Sequence, residues 1–239
     1  MKNLKYYLFL ITFSFCSLAQ AQYLKIEDVF KRYLVSEDEI IAKSIIDEKD
    51  ELYSLYCQGD LAEDISEKIT LFSKFIEKNP KFGLAKAYLN RGIAFTMTKK
   101  YNDAILDFDK SIELNNKLVY AYYFKGVSQA SLENYSEAIN NYTSAIKLQT
   151  DFKLAYYMRA LSFISQENHE QALIDLNKVI ELKSDYDKAF IMRGVVYYNI
   201  EKYEKAISDW KKAKKLNKEN GEKMDEKIAK AQQKLKEKA

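Results

Sequence analysis

Residues 85–118 read AKAYLNRGIAFTMTKKYNDAILDFDKSIELNNKL, and the stretch returns three more times, altered, at a step of 34 residues. Gly92, Gly126, Ala160 and Gly194 keep that step, as do Ala104, Ala138, Ala172 and Ala206. So do Tyr101, Tyr135, His169 and Tyr203, and likewise Tyr88, Tyr122, Tyr156 and Phe190. Phe108, Tyr142, Leu176 and Trp210 form a fifth register, and Leu114, Leu148, Leu182 and Leu216 a sixth. Six registers agreeing over four copies mark an internal repeat.

The spacing inside one copy says what the repeat is. Tyr88, Gly92 and Phe95 fall at i, i+4 and i+7, one face of a helix, and Ala104, Phe108 and Ser111 repeat the spacing on a second helix. Lys99-Lys100-Tyr101-Asn102 is a short polar turn between them. Small residues at Gly92 and Ala104 let the two backbones approach, and the rings of Tyr88 and Phe108 are expected to fill the space between neighbouring pairs. Such a helix–turn–helix cannot bury its apolar face alone. Stacked copies bury it jointly, which predicts an all-α solenoid of antiparallel helix pairs.

The pattern resembles the tetratricopeptide repeat family, on Tyr88-Leu-Asn-Arg-Gly92, Tyr101-Asn-Asp-Ala104-Ile and Ile112-Glu-Leu114-Asn and their counterparts over about residues 85–218. The boundaries read from the columns are 85–118, 119–152, 153–186 and 187–220. Two positions depart from the family pattern. The closing Pro is replaced by Asn116, Thr150, Ser184 and Lys218, and the Leu before the small residue by Arg91, Lys125, Arg159 and Arg193. Sixteen residues after each basic residue come Asp107, Asn141, Asp175 and Asp209. The expectation is an interhelical pair in each copy, three Arg–Asp and one Lys–Asn, worth about 1 kcal/mol each when partly exposed. The sharper alternative is a ladder of Arg that binds a ligand. His169, in the Tyr column, reads as a packing or turn residue.

Both ends extend the repeats. Met224, Ile228, Ala231 and Leu235 continue the helical phase, and residues 221–239 read as a lysine-rich capping helix with a frayed tail. Residues 22–80 read as a helical extension with one degenerate repeat. Asp60 with Glu63 is a candidate capping box for a helix ending near Pro80, and Ser36 with Glu39 another, opening a helix to about Tyr56. Ile26, Val29, Phe30 and Tyr33 mark a short amphipathic helix before it.

Ahead of these, Lys2 and Lys5 precede an uncharged, mostly apolar run from Tyr6 to Cys16, followed by Ala19-Gln20-Ala21. This is the layout of a secretory signal peptide over residues 1–21, with export to periplasm, surface or medium. An uncleaved anchor and a lipidated Cys16 are the alternatives; the run is short for a hydrocarbon core of about 30 Å, and Phe15 is large for a lipidation site. Removal of residues 1–21 leaves 36 basic against 35 acidic residues and Cys57 as the one thiol, which excludes an internal disulfide and reads as a buried apolar residue.

Composition narrows the function. Six Gly and one Pro in 239 residues argue against a turn-rich β fold. A near-balanced charge argues against nucleic acid as partner. One His and two Cys leave little for a metal, and no phosphate loop or hydrolase elbow is present, so neither an enzyme nor a small-molecule cofactor is expected. The family resemblance implies that first-helix residues between the packing columns line a concave groove. Carried over, these include Lys86, Leu89, Asn90 and Ile93, then Tyr120, Tyr123, Phe124 and Val127, then Leu154, Tyr157, Met158 and Leu161, then Lys188, Ile191, Met192 and Val195, with Tyr198 a turn later. The apolar members Leu89, Ile93, Tyr123, Phe124, Val127, Tyr157, Met158, Leu161, Ile191, Met192, Val195 and Tyr198 are the candidate binding residues for an apolar or amphipathic segment of a partner protein or peptide. Leu89, Ile93, Phe124, Leu154 and Met158 carry no groups to clamp a terminal carboxylate. Two other uses stay open: cover by the chain's own helix over 26–33, with the protein a structural subunit of an envelope assembly, and self-association.

Overall fold

A computed structural model describes residues 51–79 and 83–238, and every element among them is helical. Residues 1–50, with the expected signal peptide, the helix over 26–33 and most of the helix from Ser36, lie outside the described residues. Packing divides the chain after Asn134 into two compact units.

The first unit contains α1 (Glu51–Leu61), α2 (Ile65–Glu77), α3 (Leu84–Met97), α4 (Tyr101–Leu114) and α5 (Val119–Ser131). Each helix packs on the next, and α3 also touches α5, so first helices of successive pairs lie side by side. Helix α1 runs past Tyr56 to Leu61. The Asp60–Glu63 capping box is corrected by one turn: Asp64 caps α2 and accepts from the backbone N–H of Glu67 at 2.8 Å, while the Asp60 carboxylate takes a hydrogen bond from Asn90 of α3 at 3.0 Å. Phe72, Phe75 and Ala87 form a core with Leu52, Leu55, Tyr56 and Ile76 around them. Tyr56 meets both rings edge-on, with centroids 5.7 and 5.2 Å away. Cys57 is buried there, and burial, with the Asp60 carboxylate adding to it, raises its thiol pKa.

The second unit contains α6 (Tyr135–Leu148), α7 (Lys153–Ser165), α8 (His169–Leu182), α9 (Asp187–Asn199), α10 (Tyr203–Leu216), a 3₁₀ turn over Lys218–Asn220 and α11 (Gly221–Lys238). Successive helices pack again, and α7 touches α9. Helix α11 buries Met224, Ile228 and Ala231 against α10 and keeps helical form to Lys238. Lys214 of α10 holds Asp225 of α11 at 2.6 Å.

The turns inside the pairs share one solution. Lys99, Glu133, Glu167 and Glu201 all sit in the left-handed region, with φ of 61°, 63°, 58° and 58°. Around Lys99 the backbone N–H of Lys99 bonds to Thr96 O and that of Lys100 to Phe95 O, and the same two bonds recur after α5, α7 and α9. This pair of hydrogen bonds closes a helix C-terminus and is normally built on glycine. Here Lys or Glu carries it, which is how a chain so poor in Gly and Pro makes its turns.

Candidate functional site

The helices within each unit are locked by guanidinium clamps. Arg91 of α3 donates from Nε and an Nη to both oxygens of Asp107 on α4, at 2.7 and 2.8 Å, and from its other Nη to Ser73 Oγ on α2 at 3.0 Å. In the second unit Arg159 takes Asp175 at 2.8 and 2.7 Å and Thr143 at 2.8 Å, and Arg193 takes Asp209 at 2.8 and 2.7 Å and Asn177 at 2.7 Å. One fork therefore ties three helices: its own, the second helix of its pair and the second helix of the pair before. Two rings flank each guanidinium, Tyr88 and Phe95 at 5.6 Å each for Arg91, Tyr156 and Phe163 at 5.6 and 6.0 Å for Arg159, and Phe190 and Tyr197 at 5.4 and 5.9 Å for Arg193. The interhelical pairs expected for the three arginines are thus formed, and three of the five N–H donors of each guanidinium are engaged by protein partners.

The clamps are also more buried than partly exposed pairs. Burial raises the carboxyl pKa of Asp107 and Asp175 from the ordinary value, against the opposing pull of Arg91 and Arg159. The hydrogen bonds to Asp107 and Asp209 in turn raise the Arg91 and Arg193 guanidinium pKa. Short, two-pronged donation to both carboxylate oxygens is the geometry of an ionised pair. The second copy differs. Lys125 of α5 reaches back to Asp109 of α4 at 2.5 Å, and Asn141 donates to the Glu137 carbonyl at 2.8 Å, so the Lys–Asn pair is replaced by a Lys–Asp pair. A single ammonium has no second prong, and it takes the partner sixteen residues before it.

Close approach within a pair rests on the small column. A Cβ placed on Gly92 would stand 2.8 Å from Phe108, and one on Gly194 would stand 2.4 Å from Trp210. Phe108 thus lies against Gly92 inside its own pair, as well as stacking on Phe124 of α5 at 6.4 Å. The Trp210 indole N–H donates to the Ile191 carbonyl at 3.1 Å.

The first-helix faces carry the candidate binding residues. In the first unit these are Leu89 and Ile93 of α3 and Tyr123, Phe124 and Val127 of α5, all buried. Phe124 lies 5.0 Å from Tyr123 and 6.5 Å from Tyr120, ring to ring. In the second unit Tyr157, Met158 and Leu161 of α7 and Ile191 and Met192 of α9 are buried, whereas Val195 and Tyr198 are half-buried. Tyr198 packs on Tyr203 at 5.3 Å and on Trp210 at 5.9 Å. Exposure is 3% for Tyr123, 4% for Phe124, 1% for Tyr157 and 4% for Met158. Tyr186, just before α9, joins Tyr157 edge-on at 5.5 Å with the Lys153 ammonium 4.7 Å from its ring, and burial raises its phenol pKa. His169 opens α8 half-buried, and its Nδ1 has no hydrogen-bond partner among the described residues.

Models of the tetratricopeptide repeat match residues 85–118, 119–152, 154–186 and 187–220. The chain belongs to the tetratricopeptide repeat family. Solved structures of that repeat fold resemble it. One crystal structure of MamA is 24% identical with a TM-score of 0.63, over 72% of this chain and 98% of that one. MamA from Desulfovibrio magneticus RS-1, from residue 41 to its end, is 17% identical with a TM-score of 0.61, over 76% and 96%. YrrB, titled a TPR protein with an unusual peptide-binding site, is 20% identical with a TM-score of 0.62, over 74% and 92%. No curated protein sequence matches significantly. Among the described residues no helix is long and apolar enough to cross a membrane, and no group of three His, Cys, Asp or Glu is placed to hold a metal ion.

Several members of this tetratricopeptide architecture gave no sequence signal. Ser73, Thr143 and Asn177, the third anchors of the clamps, share no residue type, and Tyr186 lies outside the helical columns. The turn positions Lys99, Glu133, Glu167 and Glu201 do keep the 34-residue step, but nothing in their side chains favours the left-handed conformation they adopt.

Proposed function

We propose that this protein is an exported, non-catalytic scaffold that takes an apolar or amphipathic helical segment of a partner protein on its first-helix faces. The observation that carries the reading is the make-up of those faces. Rings, aliphatic side chains and a methionine stand close together on α5 and α7, with Tyr123, Phe124, Tyr157, Met158 and Leu161 prominent. Such side chains bind by buried area and by rigid aromatic anchors, and because these five are buried in the chain alone, a partner segment binds by displacing what covers them.

The burial of ten of the twelve candidates favours a second reading, in which the chain's own residues fill the groove and the protein works as a structural subunit of an envelope assembly through its other surfaces. Capture of partners from envelope extract with wild type and with Tyr123→Ala/Tyr157→Ala tests both. The first reading expects partner recovery to fall about tenfold or more in the double variant, as for loss of two anchors. Equal recovery by both proteins rejects it in favour of the second. Mass measurement of the protein recovered from cells tests export; a mature chain starting near Gln22 supports it, and an intact Met1 start in the cytosol rejects it.

A further inference from the structure

Helix α11 presents two different flanks beside its buried line. On one, Lys223, Lys227, Lys230, Lys234 and Lys238 follow at i, i+4, i+7, i+11 and i+15, with no acidic residue among them. At the rise of a helix this is a lysine rail about 22 Å long. Lys238 holds Glu201, Lys234 holds Glu237, and the Lys227 ammonium sits 5.7 Å from the Trp210 ring. Two of the five ammoniums thus hold carboxylates of the chain's own, one in the turn before α10 and one within α11, and Lys227 leans on α10. Residues 201–239 carry thirteen Lys against eight Asp and Glu, in a chain whose total is near balance. Like charges at i, i+4 work against their own helix, so a rail of this kind gains from an acidic surface laid along it.

The complement lies in the same sequence. Residues 36–67 contain eleven Asp and Glu against two Lys, and Glu63, Asp64 and Glu67 at the start of α2 are exposed. We propose that the lysine rail of α11 is a docking surface for the acidic 36–67 segment of a second copy of this chain. Each copy carries one rail and one acidic segment, so the association is either a two-fold dimer with two reciprocal contacts or a head-to-tail chain, and the mass reached at low salt distinguishes them. An anionic bilayer or a nucleic acid is the less suited partner, since either one repels the acidic segment that every copy carries. The inference is independent of what the first-helix faces bind.

The test is sedimentation of the purified chain over a range of concentrations, at about 0.01 M salt, where charges reach about 30 Å, and at about 1 M, where they reach about 3 Å. Mass that rises with concentration at low salt and returns to monomer at high salt is expected. Lys230→Glu/Lys234→Glu should weaken this association about tenfold or more while keeping the helical circular dichroism signal, because Glu and Lys have similar helix propensity. Glu63→Lys/Glu67→Lys should do the same alone, and mixing the two reversed proteins should restore association. A wild type that stays monomeric at low salt, a double variant that associates like wild type, or a mixture that fails to recover overturns the proposal. Monomers that bind phosphatidylglycerol vesicles through the same lysines also overturn it, in favour of a bilayer.

Discussion

The pairs α3–α4 and α7–α8 solve one packing problem with different side chains. In the first, Gly92 lies against the Phe108 ring; in the other, Ala160 and Leu176 hold the same two columns and both are fully buried. Where the first helix gives up a methyl group, the second supplies a ring. Both pairs nevertheless carry the same clamp, an arginine forked onto an aspartate sixteen residues later. Volume can therefore be divided between the two columns in more than one way, whereas the fork cannot be divided. Filling space is a sum over many weak contacts, but two parallel N–H donors to one carboxylate demand a single geometry.

The largest expected effect separates these two kinds of interaction. Arg159→Met strands the Asp175 carboxylate, whose side chain is 2% exposed, and should lower stability by about 3–5 kcal/mol in urea melts. Replacing both partners, Arg159→Met with Asp175→Leu, should recover most of that loss. A double variant as unstable as the single one would show that the clamp is worth more than its desolvation. Next comes the small column. Gly194→Ala should cost about 2 kcal/mol against the hydrogen-bonded Trp210, and Gly92→Ala about 1, after the gain of about 1 kcal/mol in helix propensity. Adding Phe108→Leu to Gly92→Ala recreates the combination of α7–α8 and should return stability to near wild type; no recovery would break the volume argument.

A smaller change sharpens the fork. Arg159→Lys keeps the charge and loses the second prong, and should cost about 1 kcal/mol in the same melts. Lys125 shows what a single ammonium does in that column, reaching one carboxylate, Asp109, which is half in solvent. Losing that exposed pair in Lys125→Met should change stability by less than about 1 kcal/mol. The smallest effect is expected at the turns, with opposite sign. Glu167→Gly relieves a left-handed residue and should raise stability by about 0.5–1 kcal/mol. A loss there would mean that the glutamate side chain is doing something the backbone bonds do not.

The repeat, its helix pairs and the clamp aspartates were legible because each recurs at one step, and periodicity survives substitution of any single residue. The Arg–Asp partnership could be read across sixteen residues, since charge type repeats with position. By contrast, the exposure of Tyr123, Phe124, Tyr157 and Met158 could not be read: apolar character says that a side chain prefers cover, without saying which surface provides it. The cap of α2 slipped by one turn because Asp60 and Asp64 are equally good candidates locally, and only the approach of Asn90 from α3 engages the first.

The sequence by itself determined a period, the two helices inside it and the small and large columns through which they meet, because these follow from local phase along one chain. The tertiary structure decided which partner each cation takes, that Lys125 reaches backwards to Asp109 where arginine reaches both ways, and that Lys and Glu residues turn left-handed between helices. Those outcomes depend on the distance between groups far apart in the chain and on backbone bonds to carbonyls already placed, and neither quantity is written in the identity of any one residue.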